Sequence, residues 1–499
     1  MKMDLRNSIV TLIAFLAFGQ CSPMLAQSPP RQTISLPNGA VPIPVGPYQP
    51  TWESIRQNYK TPAWFVDAKF GIMMHWGLYS VAAKQSEWYP MHMYNNAEIA
   101  KWHREKYGPQ DKFGYKDFVP MFTAAQFDPD AWAELFRRSG AKYIIPTAEH
   151  HDGFALWDSK LTRWDAKDMG PKRDLIGELA KAVRKKGLKF GVSNHRMEHW
   201  SFMYPKDPKN AGDLFDPAYA DFYGPPQPLK PGEDHMSGAG APQSKEFLEE
   251  WLARNQELID NYQPDILWFD NGINDRGLDP IKLRLAAYYY NRAVAWKKQV
   301  SLSTKHDAYL AGTVKDYERQ SRAPKETTDY YWQVDDPVLY RFGYTEGSPI
   351  ADARTVVTRL IENVSRNGAL LLNISPKADG TIPDDQQKLL LEIGRWLDVN
   401  GEGIYGTRPW IKYGEKDAAQ FRFTTKKNVI YAFELGNVAK NSASIVSLSD
   451  KRIRTKVMSV ELLGRPGKLK FKQQSEALVV DLPTDIDRSL PFGLRIEVK

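Results

Sequence analysis

From about Trp64 the apolar positions fall into a repeating order: a short consecutive apolar run, a polar loop, then a stretch whose apolar residues recur every three or four positions. Consecutive runs read as strands buried on both faces, and the 3.6-residue recurrence reads as a helix with one face inward. Strands are predicted at Lys69–Met74, Lys142–Thr147, Leu188–Ser193, Asp265–Phe269, Val300–Thr304 and Ala369–Ile374. Helices are predicted at Pro129–Arg138, Leu175–Lys186, Phe247–Tyr262, Leu283–Lys297 and Ala351–Arg366. The first of these puts Trp132, Leu135 and Phe136 on one face and has Gly140 just past its end, a common helix stop. Alternating helices and buried strands imply a parallel sheet. Six or seven such units over about 340 residues predict a (β/α)8-like barrel across residues 61–400. An open doubly wound sheet fits less well, because no Gly-rich phosphate loop follows any strand.

The pattern differs on either side of this region. Residues 27–60 are Pro-rich and irregular, and read as an arm on the surface. After Gly401 the segment GEGIYGTRPW leads into short alternating runs at Gln420–Thr424, Val429–Glu434, Ser444–Leu448 and Leu478–Leu482. Turn signals between them predict a C-terminal antiparallel β-sandwich over 401–499, a packing support more than a seat of chemistry. At the N-terminus Lys2 and Arg6 precede the apolar run Ile9–Phe18, and Met24-Leu25-Ala26 offers a cleavage point. Residues 1–26 therefore read as a signal peptide and the protein as exported, periplasmic or secreted. That run is short for a membrane span and no comparable one follows, so no span is expected.

Composition narrows the chemistry. Cys21 is the only cysteine. Lipid attachment there would want a small residue where Gln20 stands, and cleavage after Ala26 would leave no thiol at all. Cysteine catalysis, thiolate metal sites and disulfides are thereby excluded. The formal charge of +7 becomes +6 when residues 1–26 leave with two cations and one acid. It is dispersed, so no nucleic-acid partner is expected. The 15 Trp and 24 Tyr are more telling, because many stand beside His, Asp or Glu, as a carbohydrate site requires.

In a barrel of parallel strands the side chains at strand C-termini converge on one rim. Here the ends read His75-Trp76-Gly77, Glu149-His150-His151-Asp152, Asn194-His195-Arg196, Trp268-Phe269-Asp270 and Lys305-His306, with Ser86-Glu87-Trp88-Tyr89 on the first loop. A lone histidine at a strand end is usually structural, but several together with carboxylates and aromatics point to a site. Neutral imidazole can both donate to and accept from a sugar hydroxyl. Trp268 and Asp270 read as a ring platform beside a carboxylate able to trap an oxocarbenium-like carbon. Asp270 alone could equally cap the following helix. A metal-dependent barrel hydrolase would use His75, His150, His195 and Asp270 as ligands. The interleaved Trp76, Trp88, Trp157 and Trp268 favour the sugar reading, which calls for neither metal nor organic cofactor. A glycosidase needs a second carboxyl, and the stretch TVKDYERQSRAPKETTDYYW, read as a rim loop, offers Asp316, Glu318 and Glu326. A non-catalytic sugar-binding protein with the same walls stays open at this point.

The segments KFGIMMHWG, SEWY, EHHDGFALWDS, LWFDNG and GIYGTRPW, in this order from Lys69 to Trp410, resemble the α-L-fucosidases of glycoside hydrolase family 29. The resemblance implies a (β/α)8-like barrel followed by a β-sandwich, and an exo-acting retaining enzyme for terminal α-L-fucosyl residues of an oligosaccharide or glycoconjugate. It implies Asp270 as nucleophile, and His75, Glu87, Trp88, His150, His151 and Trp268 as residues that hold the sugar; Trp76, beside His75, is expected to bind the substrate with them. The acid/base is carried in no uniform motif; Glu318 is the choice and Glu326 the reserve. Some relatives have Tyr after the third strand where this chain reads SNHRMEHW, so His195 is expected to take that role. That departure leaves room for a related substrate such as an α-L-galactoside, whose sugar differs only by a hydroxyl at C6.

Overall fold

The computed structural model describes residues 42–499 apart from 225, 231, 234–241, 416–419, 437–440 and 454. The segment expected to be a signal peptide, Cys21 and the first part of the arm lie outside the described residues. Eight parallel strands close a barrel in chain order: β1 (Phe70–Met74), β2 (Tyr143–Glu149), β3 (Lys189–Asn194), β4 (Ile266–Phe269), β5 (Ser301–Lys305), β6 (Thr313–Asp316), β7 (Trp332–Pro337) and β8 (Gly368–Ile374). β1 pairs with both β2 and β8, which seals the ring. The six strands expected from the sequence are all present, within two residues at each end. The segment expected as a rim loop after β5 instead contains β6, and β7 follows it. Their polar residues hid them: β6 reads TVKD and β7 reads WQVDDP.

Those polar side chains have a use inside the barrel. Along β4, Ile266 and Trp268 point inward to Met73, Ile145, Val314 and Leu371, while Leu267 and Phe269 face the surrounding helices. The short helix Ala63–Ala68 plugs the N-terminal end, with Phe65 edge-on to Tyr143 and Tyr331. Above that plug Tyr143 Oη donates to Gln333 Oε1 (3.0 Å), and Gln333 Nε2 donates to Asp316 Oδ2 (2.7 Å). Trp268 Nε1 donates to the same Asp316 oxygen at 2.8 Å. The interior thus grades from apolar to hydrogen-bonded to charged toward the C-terminal rim. Buried polar groups satisfied in this way fix the rotamers beneath the rim.

The arm is less irregular than its composition suggests. Trp52–Asn58 forms a helix capped by Thr51, and Tyr48 and Tyr59 lay their rings 5.0 and 5.2 Å from Tyr290 on the helix Asp279–Ala295. At the C-terminal end β9 (Arg408–Gly414), β10 (Phe421–Lys426), β11 (Val429–Glu434), β12 (Ser442–Ile445), β13 (Val457–Leu462), β14 (Phe471–Gln473), β15 (Leu478–Asp481) and β16 (Phe492–Val498) form two antiparallel sheets. Their orders are β13-β16-β11-β10-β9 and β12-β15-β14. The run expected as a strand at Ser444–Leu448 starts two residues earlier and ends in a 3-10 turn, Val446–Leu448. Between the sheets lies a separate core that includes Phe423, Ile430, Leu478 and Leu494. Arg422 Nη2 pairs with Glu362 (2.7 Å) on the helix Ala353–Ser365, and Trp396 Nε1 donates to the Pro491 carbonyl (2.6 Å), so the sandwich is fastened to barrel helices.

Candidate active site

Each strand end brings one or two polar side chains to the rim. From β1, His75 is buried with Nδ1 2.7 Å from Asn373 Oδ1 of β8. That oxygen also accepts from the His75 backbone N–H (3.0 Å), so Nδ1 carries the proton and Nε2 keeps its lone pair. From β2 come His150 and His151, whose ring centroids are 4.2 Å apart. His150 also stands 4.9 Å from His195 and 5.5 Å from His75. Burial and three neighbouring imidazoles hold it well below the usual histidine range, hence neutral. Burial likewise takes His75 and His195 down to about 4.

Asp270 follows β4 immediately. The inward turn of Trp268 and the outward turn of Phe269 aim the next side chain back over the barrel mouth. His195 Nδ1 donates to Asp270 Oδ2 at 2.9 Å, and His195 Nε2 lies 2.9 Å from Ser193 Oγ. Lys305, the last residue of β5, stands at the centre of the site. Its ammonium is 2.8 Å from Asp270 Oδ1, 3.1 Å from Glu318 Oε2 and 3.4 Å from Asp335 Oδ2. The first two legs sum to 5.9 Å, an upper limit on the separation of those Asp270 and Glu318 oxygens.

Electrostatics follows from that cation. Burial alone would raise Asp270, but Lys305 and then His195 outweigh it and hold the carboxyl well below its usual range. Lys305 also lowers Glu318, against burial. Burial raises Asp335 well above the carboxylate range, with Asp316 beside it adding to the effect, so that pair holds a proton. Although burial opposes it, the carboxylates around Lys305 keep the ammonium charged.

A second charged contact lies on the β2–β3 side. His151 Nδ1 donates to the His195 carbonyl (2.9 Å), and its Nε2 stands 3.5 Å from Asp270 Oδ2 and 3.6 Å from Glu198 Oε2. Burial would lower His151, but Glu198 and Asp270 prevail and raise it to about 9. Glu198 is 1% exposed, and burial lifts it to about 8. Gly272 makes room for it: φ there is +88°, and a Cβ would stand 2.6 Å from Glu198 Cγ. Only glycine takes both that backbone angle and that contact.

Among the described residues two groups bring donor atoms within 4.8 Å of one another, His75–His150–His195 and His151–His195–Asp270. They do not suit a metal as they stand. Both His195 nitrogens are engaged, His151 holds a proton, and the Lys305 ammonium already occupies the Asp270 carboxylate. The walls suit a sugar better: Phe342 stands 5.0 Å from His75, Trp88 lies edge-on to Phe202 and His151, and Trp268 floors the site 5.2 Å from His195 with Lys305 over its ring.

The rim brings together His75, Glu87, Trp88, His150, His151, His195, Trp268, Asp270 and Glu318 of the expected residues. Glu87 is held by the backbone N–H groups of Phe342 (3.1 Å) and Gly343 (2.8 Å). Two expectations need correction. Trp76 alternates outward, packs 5.1–5.2 Å from Phe122, Phe127 and Trp132, and donates to the Lys377 carbonyl, so it belongs to the core between barrel and helices. Glu326 is exposed in a separate cleft with Ile411, Lys412 and Tyr413. Lys305, Glu198, Asp335, Asn373 and Phe342 were given no role from sequence. Lys305 did stand at a strand end, which was the available signal; Asp335 and Phe342 belong to or follow β7, which the pattern did not reveal.

Comparison with known proteins adds an independent line. A family model described as alpha-L-fucosidase matches residues 40–402. Tissue alpha-L-fucosidase of Rattus norvegicus is 32% identical over 453 residues, covering 87% of this chain and 88% of that protein. The Homo sapiens tissue enzyme is 30% identical with the same coverage. Among solved structures, Thermotoga maritima alpha-fucosidase in complex with fucose is similar with a TM-score of 0.74 at 32% identity, covering 90% of this chain and 99% of that one.

Proposed function

The chain belongs to the α-L-fucosidase family, and we propose that it performs that family's reaction with Asp270 as nucleophile and Glu318 as acid/base. The protein is a glycoside hydrolase acting on α-L-fucosylated glycans. The observation that carries the assignment is the separation of two carboxylates that follow different strands, Asp270 after β4 and Glu318 after β6. At no more than 5.9 Å between the nearest named oxygens it suits a double displacement, for which roughly 5–5.5 Å is usual, better than the wider gap that admits a water between sugar and base.

In the first step an Asp270 oxygen bonds to the anomeric carbon as the bond to the leaving oxygen breaks, and Glu318 delivers its proton to that oxygen. In the second, Glu318 takes a proton from water, the water oxygen bonds to the anomeric carbon and the Asp270 ester opens. The protonated acid/base requires that Glu318 part from Lys305 when the sugar enters, leaving the ammonium to Asp270 and Asp335. His195 and His151 keep Asp270 ionised and oriented, while the neutral His75 and His150 meet sugar hydroxyls. We also propose export through residues 1–26, supported by the cations, apolar run and small-residue site there; N-terminal sequencing of the mature protein tests it.

Asp270→Gly should lower turnover of an aryl α-L-fucoside on the order of 10⁴-fold. Azide entering the vacated space should restore turnover and yield the β-L-fucosyl azide, identified by the anomeric coupling in NMR. Near-normal turnover without azide would remove Asp270 from the role.

A further inference from the structure

The aglycone leaves past Glu318, so the side chains flanking Glu318 on its solvent side border the space that receives it. Those flanks are cationic. Arg319 Nε stands 3.8 Å from Glu318 Oε1 and Arg322 Nη1 3.9 Å from Oε2, with Arg322 half exposed at its side chain (51%). Arg319 reaches further: Nη2 donates to the Tyr340 carbonyl (3.1 Å), and its guanidinium lies 5.1 Å from the Phe342 ring and 5.9 Å from that of Tyr340. Arg341 places its guanidinium 4.8 Å from the same Tyr340 ring, which is 68% exposed. On the far side of the mouth His92 stands 6.4 Å from Trp88, and burial together with the charges of Arg341 and Lys206 keeps it neutral.

The groups just named, Arg322, Arg319, Arg341 and Lys206, are all cationic. Among the described residues Glu318 is the sole carboxylate within ion-pair distance of Arg319 and Arg322. Asp336, the next acid behind Arg319, is buried and paired with Arg359 at 3.2 Å. Arg341 has no carboxylate partner among the described residues, and it stands against the exposed Tyr340 ring. Holding Glu318 would explain Arg319 and Arg322 but not Arg341 or the exposed Tyr340. Guanidinium groups beside an open aromatic face suit a sugar ring that carries sulfate or carboxylate, because the fork of donors matches either anion.

We propose that the leaving-group side of the site is a subsite for an anionic aglycone, with Arg341, Arg322 and Arg319 gripping a sulfate or carboxylate on the sugar joined to fucose and Tyr340 supporting its ring. This rests on Glu318 being the acid/base.

The test compares kcat/KM of the full-length enzyme on three disaccharides of identical linkage: α-L-fucosyl-galactose, its 6-sulfate, and α-L-fucosyl-galacturonate. At low ionic strength at least one anionic substrate should exceed the neutral one by about 10-fold, and added salt should erode the gap. Preference for the sulfate alone, the uronate alone or both identifies the anion. Arg341→Ala and Arg322→Ala should each shrink the anionic-to-neutral ratio; the ratio cancels any effect on Glu318 itself. Equal or poorer turnover of both anionic substrates, or a ratio unchanged in the Arg341→Ala, Arg322→Ala double variant, would overturn the subsite. Glu318→Ala separates the two readings: full kcat on the neutral disaccharide would overturn the acid/base assignment and the subsite with it, whereas loss of that kcat with no anionic preference in wild type would overturn the subsite alone.

Discussion

Replacing Lys305 with methionine removes an ammonium that touches Asp270, Glu318 and Asp335 at 2.8, 3.1 and 3.4 Å while keeping most of the side-chain volume. At an effective dielectric constant near 20 each such pair is worth on the order of 4 kcal/mol before desolvation. An opposite charge this close usually moves a carboxyl by roughly 1–3 pH units. Both proposed catalytic carboxyls are held down by Lys305, so its loss lets both rise. The acid limb of the kcat/KM profile reports Asp270, which must be ionised, and the alkaline limb reports Glu318, which must be protonated. Both limbs should therefore move to higher pH by about 1–3 units, measured on an aryl α-L-fucoside from pH 3 to 10. Stability should fall too, by ~3–5 kcal/mol where the stranded carboxylates stay ionised, and less at acid pH, where they can take up protons. Lys305→Arg retains the charge and should keep the limbs near their wild-type positions. An alkaline limb that stays put or moves to lower pH in Lys305→Met, with the fold intact by circular dichroism, would refute the reasoning.

Glu198→Gln should flatten the alkaline loss of thermal stability. In the folded protein Glu198 is raised to about 8 and His151 to about 9, so each holds a proton that the unfolded chain has released. That stabilisation is complete below the unfolded values and disappears as pH climbs through 8 to 9, at about 1.4 kcal/mol per pH unit for each proton held; Tm measured between pH 6 and 10 should show a shallower fall in the variant, and an unchanged slope would contradict it. Gly343→Ala should weaken substrate binding, because the new Cβ would stand 2.7 Å from the Glu87 backbone nitrogen and displace the residue that Gly343 itself holds. A several-fold rise in KM with a stability cost of about 1–3 kcal/mol is expected, and a wild-type KM would count against a binding role for Glu87. Trp268→Phe removes the indole donor to Asp316 and should lower both Tm and kcat; an unchanged kcat would show that the floor of the site need not be fixed.

Local pattern was enough for much of this molecule. Runs such as ILWF and ALLLNI are apolar on both faces, which only a covered parallel sheet allows, and six of eight barrel strands follow from that rule. Because strand ends converge on one rim, the position of His75, His150, His195 and Asp270 at such ends was also readable before any contact was known. What pattern could not reveal were β6 and β7, whose Gln333 and Asp316 look like loop residues because Tyr143 of β2 and Trp268 of β4, which donate to them inside the barrel, stand far back along the chain.

Side-chain direction and charge state were decided in three dimensions. Trp76 follows His75 directly, yet the alternation of a strand sends one to the core and the other to the rim. Glu318 and Glu326 are equivalent as letters, and only resemblance ranked them; the structure sets Glu318 3.1 Å from a lysine on a different strand and Glu326 in a separate cleft. A carboxyl's proton affinity depends on what burial removes and which cation stands within a few ångströms. Both are sums over residues distant in sequence, and so the amino-acid order fixes the candidates while the closed barrel selects among them.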